Sequence, residues 1–418
     1  MTSDPSQGSR PPAQRARARD LGVRIGRLPT GPTNTLVDVT GVAVGHRTVW
    51  RDEPNPPAGR GTARTGITVI VPLGLEAMAR SRIPAGAAVL NGAGEAIGIT
   101  SIGEWGMIET PIFLTNSMAI GRVYDGAVAV LSELATAGAD GAGVDDEDAI
   151  MPVVAECDDS DLNRSVPVQV DEADVRAALA AARGAEAGSF ALGVVGSGTG
   201  MRAFELKGGI GSASRRVRPV HRWADGPSAD APTFTVGVLV MANFGEIGRL
   251  TIDGVPVGAA LQAEGWPAAG GGASRPGVRG AEGSCIVVVA TDAPLFTHQL
   301  TRLARRAGLG LARVGSTAHH GSGEIFLAIS TGIRVERASR EPVRTTAHVD
   351  DEHLDQFFAA VVEATEEATL DALFTADTVT GHAGHTIPGL PVPRTLELLR
   401  AAGRLTSASA PIGTGVAR

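Results

Sequence analysis

A stretch dominated by Gly, Ala and Pro, from Val255 to Gly283, gives way at Ser284 to the apolar run Cys285-Ile286-Val287-Val288-Val289-Ala290. The first segment is poorly suited to regular structure and reads as a linker. The second has the length and β-branched content of a buried strand. Ser284 stands at the junction of the two. On composition alone that junction is a strand entry.

Other elements alternate along the chain. Strand-like runs occur at 35–39, 42–46, 66–72 and 233–241, the third stopped by Pro72. Residues 50–64 read as a loop, and Asn91-Gly92-Ala93-Gly94-Glu95 as a turn following Ala87 to Leu90. A helix is predicted over Glu172 to Arg183, with Asp171 as cap and Gly184 as stop. Another starts near Asp292-Ala293-Pro294, shows Leu300, Leu303, Ala304 and Ala307 on one face, and is expected to end at Gly308. A long helix over about 350–374 turns Leu354, Phe357, Phe358 and Val361 inward. This alternation fits α/β and α+β architectures equally. Residues 1–34 are polar and Arg-rich, at least through Arg19, and read as a disordered basic tail before a single domain at 35–418.

Composition removes several classes of function. The formal net charge is −8, against the basic face that nucleic-acid binding needs. No run of about 18 apolar residues is present to span a membrane, and no apolar stretch near the start suggests a secretory signal, so a cytoplasmic location is expected. Cys157 and Cys285 are the only cysteines and read as reduced, buried side chains. Aromatic residues make up 4%, so the core must be built from Val, Ile, Leu and Ala.

Three motifs invite chemistry and yield little. Gly196-Ser197-Gly198-Thr199-Gly200-Met201 lacks the last glycine and the βαβ context of a dinucleotide fingerprint, and reads as a structural turn. His319-His320 and His382-x-x-His385 come without carboxylate or thiolate ligands at metal-site spacing. No G-x-S-x-G elbow precedes a helix. Neither a cofactor nor a metal is expected.

Collinear segments across 35–388 say more. They include Asp38-Val39-Thr40-Gly41-Val42-Ala43-Val44-Gly45-His46, Asn91-Gly92-Ala93-Gly94-Glu95 and Leu114-Thr115-Asn116-Ser117. Others are Lys207-Gly208-Gly209-Ile210-Gly211 and Ala290-Thr291-Asp292-Ala293-Pro294-Leu295. On these the chain resembles the L-aminopeptidase/D-amino-acid esterase-amidases and β-peptidyl aminopeptidases, which mature by autoproteolysis. The resemblance implies an α+β fold, a four-layer αββα sandwich like that of N-terminal-nucleophile hydrolases but connected differently. It implies cleavage between Gly283 and Ser284 into an α chain, 1–283, and a β chain, 284–418, with a homo-oligomer of αβ units as the assembly. Ser284 would be the nucleophile and Asn243 part of the oxyanion hole. Ser322 and Glu324 would form the polar network around the nucleophile, and Glu156 would hold the substrate ammonium. Where the family commonly has an aromatic two residues after that glutamate, this chain has Asp158, a candidate second carboxylate in the substrate pocket.

The chemistry is consistent with these residues. A serine hydroxyl needs a base, and cleavage before Ser284 would free an α-amine whose ordinary pKa is about 7.7–8.0. The implied activity is hydrolysis of short peptides, amides or esters with a free amine through an acyl-enzyme on Ser284. Two alternatives are an acyltransferase of the ornithine acetyltransferase type, which uses threonine at the processed position, and an uncleaved, inactive binding protein of the same fold.

Overall fold

In the computed structural model, which describes residues 15–136, 149–184, 190–267, 283–337 and 339–405, alternation along the strands sorts apolar side chains into three large cores. The main strands are β1 (Val42–Asp52), β2 (Thr62–Pro72), β3 (Ser81–Gly92), β4 (Ile112–Asn116) and β5 (Val153–Cys157). They continue with β6 (Gly209–Val217), β7 (Phe234–Asn243), β8 (Ser284–Thr291) and β9 (Gly323–Ser330). The long helices are α1 (Ile120–Thr136), α2 (Glu172–Gly184), α3 (Thr297–Arg313) and α4 (Asp355–Phe374).

One sheet runs β1-β2-β4-β5 and ends in the short strand Ala96–Ile97. The other runs β6-β7-β8-β9-β3, with Val335–Glu336 and Met107–Ile108 also paired to β3. Along β8, Ile286, Val288 and Ala290 meet Val44, Ile70 and Leu114 of the other sheet in the central core. Cys285, Val287 and Val289 point the opposite way, onto Leu300, Leu303 and Ala304 of α3 and Ala360, Val361 and Ala364 of α4. On the far side, Ile67, Val69 and Phe113 pack on Val123 and Ala127 of α1 and on Val175 and Ala178 of α2. The order of layers is αββα, as the resemblance implies.

Four local expectations are corrected. The run at 35–39 is a 3-10 turn, Leu36–Asp38, rather than a strand. The segment 255–283 carries a helix, Val257–Ala263, whose Val257 and Leu261 are buried; 268–282 lie outside the described residues. Helix α3 passes through Gly308 and Gly310 to Arg313. A Cβ on Gly310 would come within 2.6 Å of Thr365 Cβ, so the small residue permits close packing on α4.

The fourth correction concerns the basic tail. Residues 15–34 are packed, with Ala18, Val23 and Ile25 buried; 1–14 lie outside the described residues. Their arginines meet carboxylates spaced four apart along one face of α4. Arg17 reaches Asp371 at 2.8 Å, Arg19 holds both oxygens of Glu367 at 2.7 Å, and Asn34 also donates to Glu367. Arg215, fully buried, bridges Glu367 at 2.7 Å and Glu363 at 3.0 Å. Burial pushes the Glu367 carboxyl up, but its bonds to Arg19 and the charge of Arg215 outweigh that and hold it below the ordinary carboxylate range.

Removing one partner of a buried pair leaves an uncompensated charge, which costs about 3–5 kcal/mol. Arg215→Met should lower unfolding stability by about that amount, measured from the midpoint and slope of a urea titration. A change within about 0.5 kcal/mol, the usual effect of a surface substitution, would show that Arg19 alone suffices for Glu367.

Candidate active site

Strand register assembles the site. Antiparallel pairing of β7 and β8 sets Asn243 opposite Ser284, and parallel pairing of β8 and β9 sets Gly323 beside Ser284. Pairing of β9 with β3 brings Gly92 to Gly323 and Asn91 to Glu324. Ser284, Asn243, Glu156, Asp158, Ser117 and Gly283 line one cavity. All of these except Ser117 are residues that the sequence singles out, and Ser322 and Glu324 lie just behind them on β9 and its approach.

The bond before Ser284 is closely framed. The Gly283 carbonyl accepts a hydrogen bond from the Gly323 N–H at 3.1 Å. A Cβ on Gly283 would lie 2.0 Å from the Asn243 carbonyl oxygen, so only glycine fits there without moving backbone. The Asn243 side chain is fixed at both ends. Its Oδ1 accepts from Arg202 N at 2.8 Å, and its Nδ2 donates to Asp158 O at 2.8 Å. An amide nitrogen carries two hydrogens, which leaves one N–H for the cavity.

The two glutamates differ. Ser322 Oγ donates to Glu324 Oε1 in a short bond, while Glu324 Oε2 is buried and has no hydrogen-bond partner among the described residues. Burial raises the Glu324 carboxyl above its ordinary range, against the bond from Ser322. Glu156 accepts from Glu95 N at 2.9 Å and, closely, from Ser117 Oγ. Burial raises its pKa, the bonds from Ser117 and Glu95 N oppose the rise, and the Asp158 charge adds to it. The Asp158 carboxylate accepts from Ser160 N and Oγ, both at 2.9 Å.

Several residues here carried no expectation. Ser117, Arg202 and Gly323 belong to three separate loops and strand ends, joined only by tertiary pairing. Lys207, the only lysine of the chain, is buried and donates to the carbonyls of Gly198, Met201 and Gly208. It thereby fixes the loop whose next residue, Arg202, orients Asn243; burial lowers its pKa to about 7. A lone lysine in a glycine-rich run was the available signal. The Gly196–Gly198 motif is a 3-10 turn whose Ser197 donates to Thr68. His385 packs onto the Asp161 carbonyl, and among the described residues no cluster of three or more His, Cys, Asp or Glu is arranged to hold a metal ion. No described helix is long and apolar enough to cross a membrane.

The αββα architecture, two sheets packed face to face between helical layers, is of the N-terminal-nucleophile-hydrolase type. Residues 34–387 match the model of Peptidase family S58, and the chain belongs to that family. It is 38% identical over 400 residues to the β-peptidyl aminopeptidase BapA of Sphingosinicella microcystinivorans, covering 95% of each chain. Among solved structures it superposes on a Burkholderia sp. β-aminopeptidase with TM-score 0.78 at 40% identity, covering 93% of this chain and 99% of that one. The Ochrobactrum anthropi L-aminopeptidase/D-Ala-esterase/amidase, described as a prototype of the serine aminopeptidases, matches with TM-score 0.81 at 37% identity and the same coverage. The chain is a hydrolase, an aminopeptidase.

The surroundings of Glu156 set its titration. Ser117→Ala removes a donor to the ionised form and should raise its pKa further; Asp158→Asn removes a neighbouring negative charge and should lower it. A cation held by Glu156 would be lost as pH falls through that pKa, earlier in Ser117→Ala and later in Asp158→Asn. Carbon-13 NMR titration of the glutamate carboxyls checks both signs. Shifts in the same direction would contradict the assigned causes.

Proposed function

We propose that the chain cuts itself between Gly283 and Ser284 and then hydrolyses short peptides, amides or esters that carry a free amine. The observation that carries this reading is the Gly283 carbonyl held by the Gly323 N–H at the entry of β8, with Ser284 opening onto the same cavity as Glu156. Ser284 Oγ attacks the Gly283 carbonyl carbon, the C–N bond breaks, and the proton passes to the new α-amine. Water then hydrolyses the ester, leaving a Gly283 carboxylate and a free Ser284. The open oxygen of Glu324, next to Gly323, offers the new ammonium an acceptor, and Ser322 orients that carboxylate.

The free α-amine, deprotonated near neutral pH, then serves as base for its own hydroxyl. Substrate binds with its ammonium on Glu156, a charge-assisted contact. Attack on the substrate carbonyl develops a negative oxygen, and the remaining Asn243 N–H supplies a donor of the kind whose removal costs about 10²–10³ in kcat. The leaving amine departs with a proton, and water releases the acyl group from Ser284. The relatives' names add β-aminoacyl units to the substrate classes included in this reading.

Mass spectrometry of purified protein should find two fragments, the smaller beginning at Ser284. Ser284→Ala should remain one chain and be inactive, because nucleophile and base reside in one residue. An intact, active wild-type chain would overturn the mechanism.

Asp158 is proposed to admit a second positive charge beside the one on Glu156, since both residues line the cavity. The ratio of kcat/KM for arginyl over alanyl p-nitroanilide should then fall in Asp158→Tyr. The same ratio in both proteins would remove Asp158 from the substrate site.

A further inference from the structure

We propose that Gly94 sets the room between the amine anchor and the nucleophile, and so decides whether a two-carbon spacer fits between a substrate's ammonium and its carbonyl. This inference rests on the amine-anchor reading of Glu156 given above. Gly94 is exposed, in the turn between β3 and the short strand Ala96–Ile97. A Cβ built on it would lie 3.2 Å from Glu156 Oε1 and 3.9 Å from Ser284 Oγ. The same point is therefore in contact range of both groups that grip the acyl unit, on the side nearer the ammonium.

The turn has little freedom to retreat. The Gly94 position rests on β9, where the imagined Cβ is 3.6 Å from Gly323 Cα. The next residue is tied by its N–H to Glu156 Oε1 at 2.9 Å. Nor does the backbone itself demand glycine, because the φ of Gly94 lies outside the left-handed region. Alanine would require Glu156 Oε1 to give by a few tenths of an ångström, and its methyl group would take up space beside the carbons that link ammonium to carbonyl. An α-aminoacyl group has one such carbon and a β-aminoacyl group has two, so the longer spacer meets the methyl first.

The test compares wild type and Gly94→Ala on glycyl and β-alanyl p-nitroanilides, with their N-acetyl forms as controls and thermal melting as the fold check. The β-alanyl over glycyl ratio of kcat/KM should fall about tenfold or more in the variant, the low end of what one methylene of misfit is worth. Calorimetric binding of 3-amino-1-propanol and ethanolamine, which match the two spacers and carry no acyl bond to cut, gives the ratio without turnover, should the variant fail to process itself. An unchanged ratio, or an equal loss on both substrates, overturns the role of Gly94 and leaves the amine-anchor reading standing. Wild-type activity that is the same on free and N-acetylated substrates instead sinks that reading, and this inference with it.

Discussion

The structure depends on the register of β8 between its two neighbours. All eight residues of the strand are buried, with Ile286, Val288 and Ala290 committed to one core and Cys285, Val287 and Val289 to another. A slip of one residue would exchange these sets between cores of different shape, so the register is strongly specified. The first residue of the strand inherits that specification. Ser284 is held opposite Asn243 and beside Gly323 by the same ladders that stabilise the sandwich. A reactive group placed on such an element needs no loop to position it.

Around that fixed point, the polar groups divide the work by how fully they are satisfied. Asn243 has its acceptor and one donor occupied by backbone, which fixes the direction of the other N–H. Glu156 takes a bond on each oxygen and yet faces the cavity, so it is oriented without being closed to a ligand. Glu324 is tied on one oxygen and open on the other, and burial raises its pKa. An orphaned buried oxygen is costly, and a cationic donor arriving nearby would relieve the cost. The proposed freed amine of Ser284 is such a donor.

Much of this was legible because it was local. Periodicity located β2, β7, β8 and α2 to within a few residues, and the collinear motifs pointed to the αββα order and to the residues now seen in one cavity. What escaped depended on distant partners. The arginines at 15–19 look like a solvated tail until the carboxylates of α4, some 350 residues later, are brought to them. Gly308 looks like a helix stop, but packing of α3 on α4, close at Gly310, overrides its weak propensity. Ser117, Arg202 and Gly323 acquire meaning only through bonds that pairing of β4 with β5, β6 with β7 and β8 with β9 makes possible.

The same long-range contacts explain how a cut before Ser284 could leave the molecule intact. The bond lies at the entry of β8, so its loss breaks none of the pairs from Asn243–Ser284 to Val236–Thr291. The two products would still share the β7–β8 ladder, the central core and the packing of β6 and β7 against α4. They would also share the buried ion network, since Arg17, Arg19 and Arg215 fall in one product and Glu363, Glu367 and Asp371 in the other. Arg215, Glu367 and Asp371 are excluded from water and Arg17, Arg19 and Glu363 are largely so, and separating the products would expose or orphan them all at once. A chain built this way could give up one peptide bond to create the proposed base at Ser284, because the contacts that hold Ser284 in place do not run through that bond.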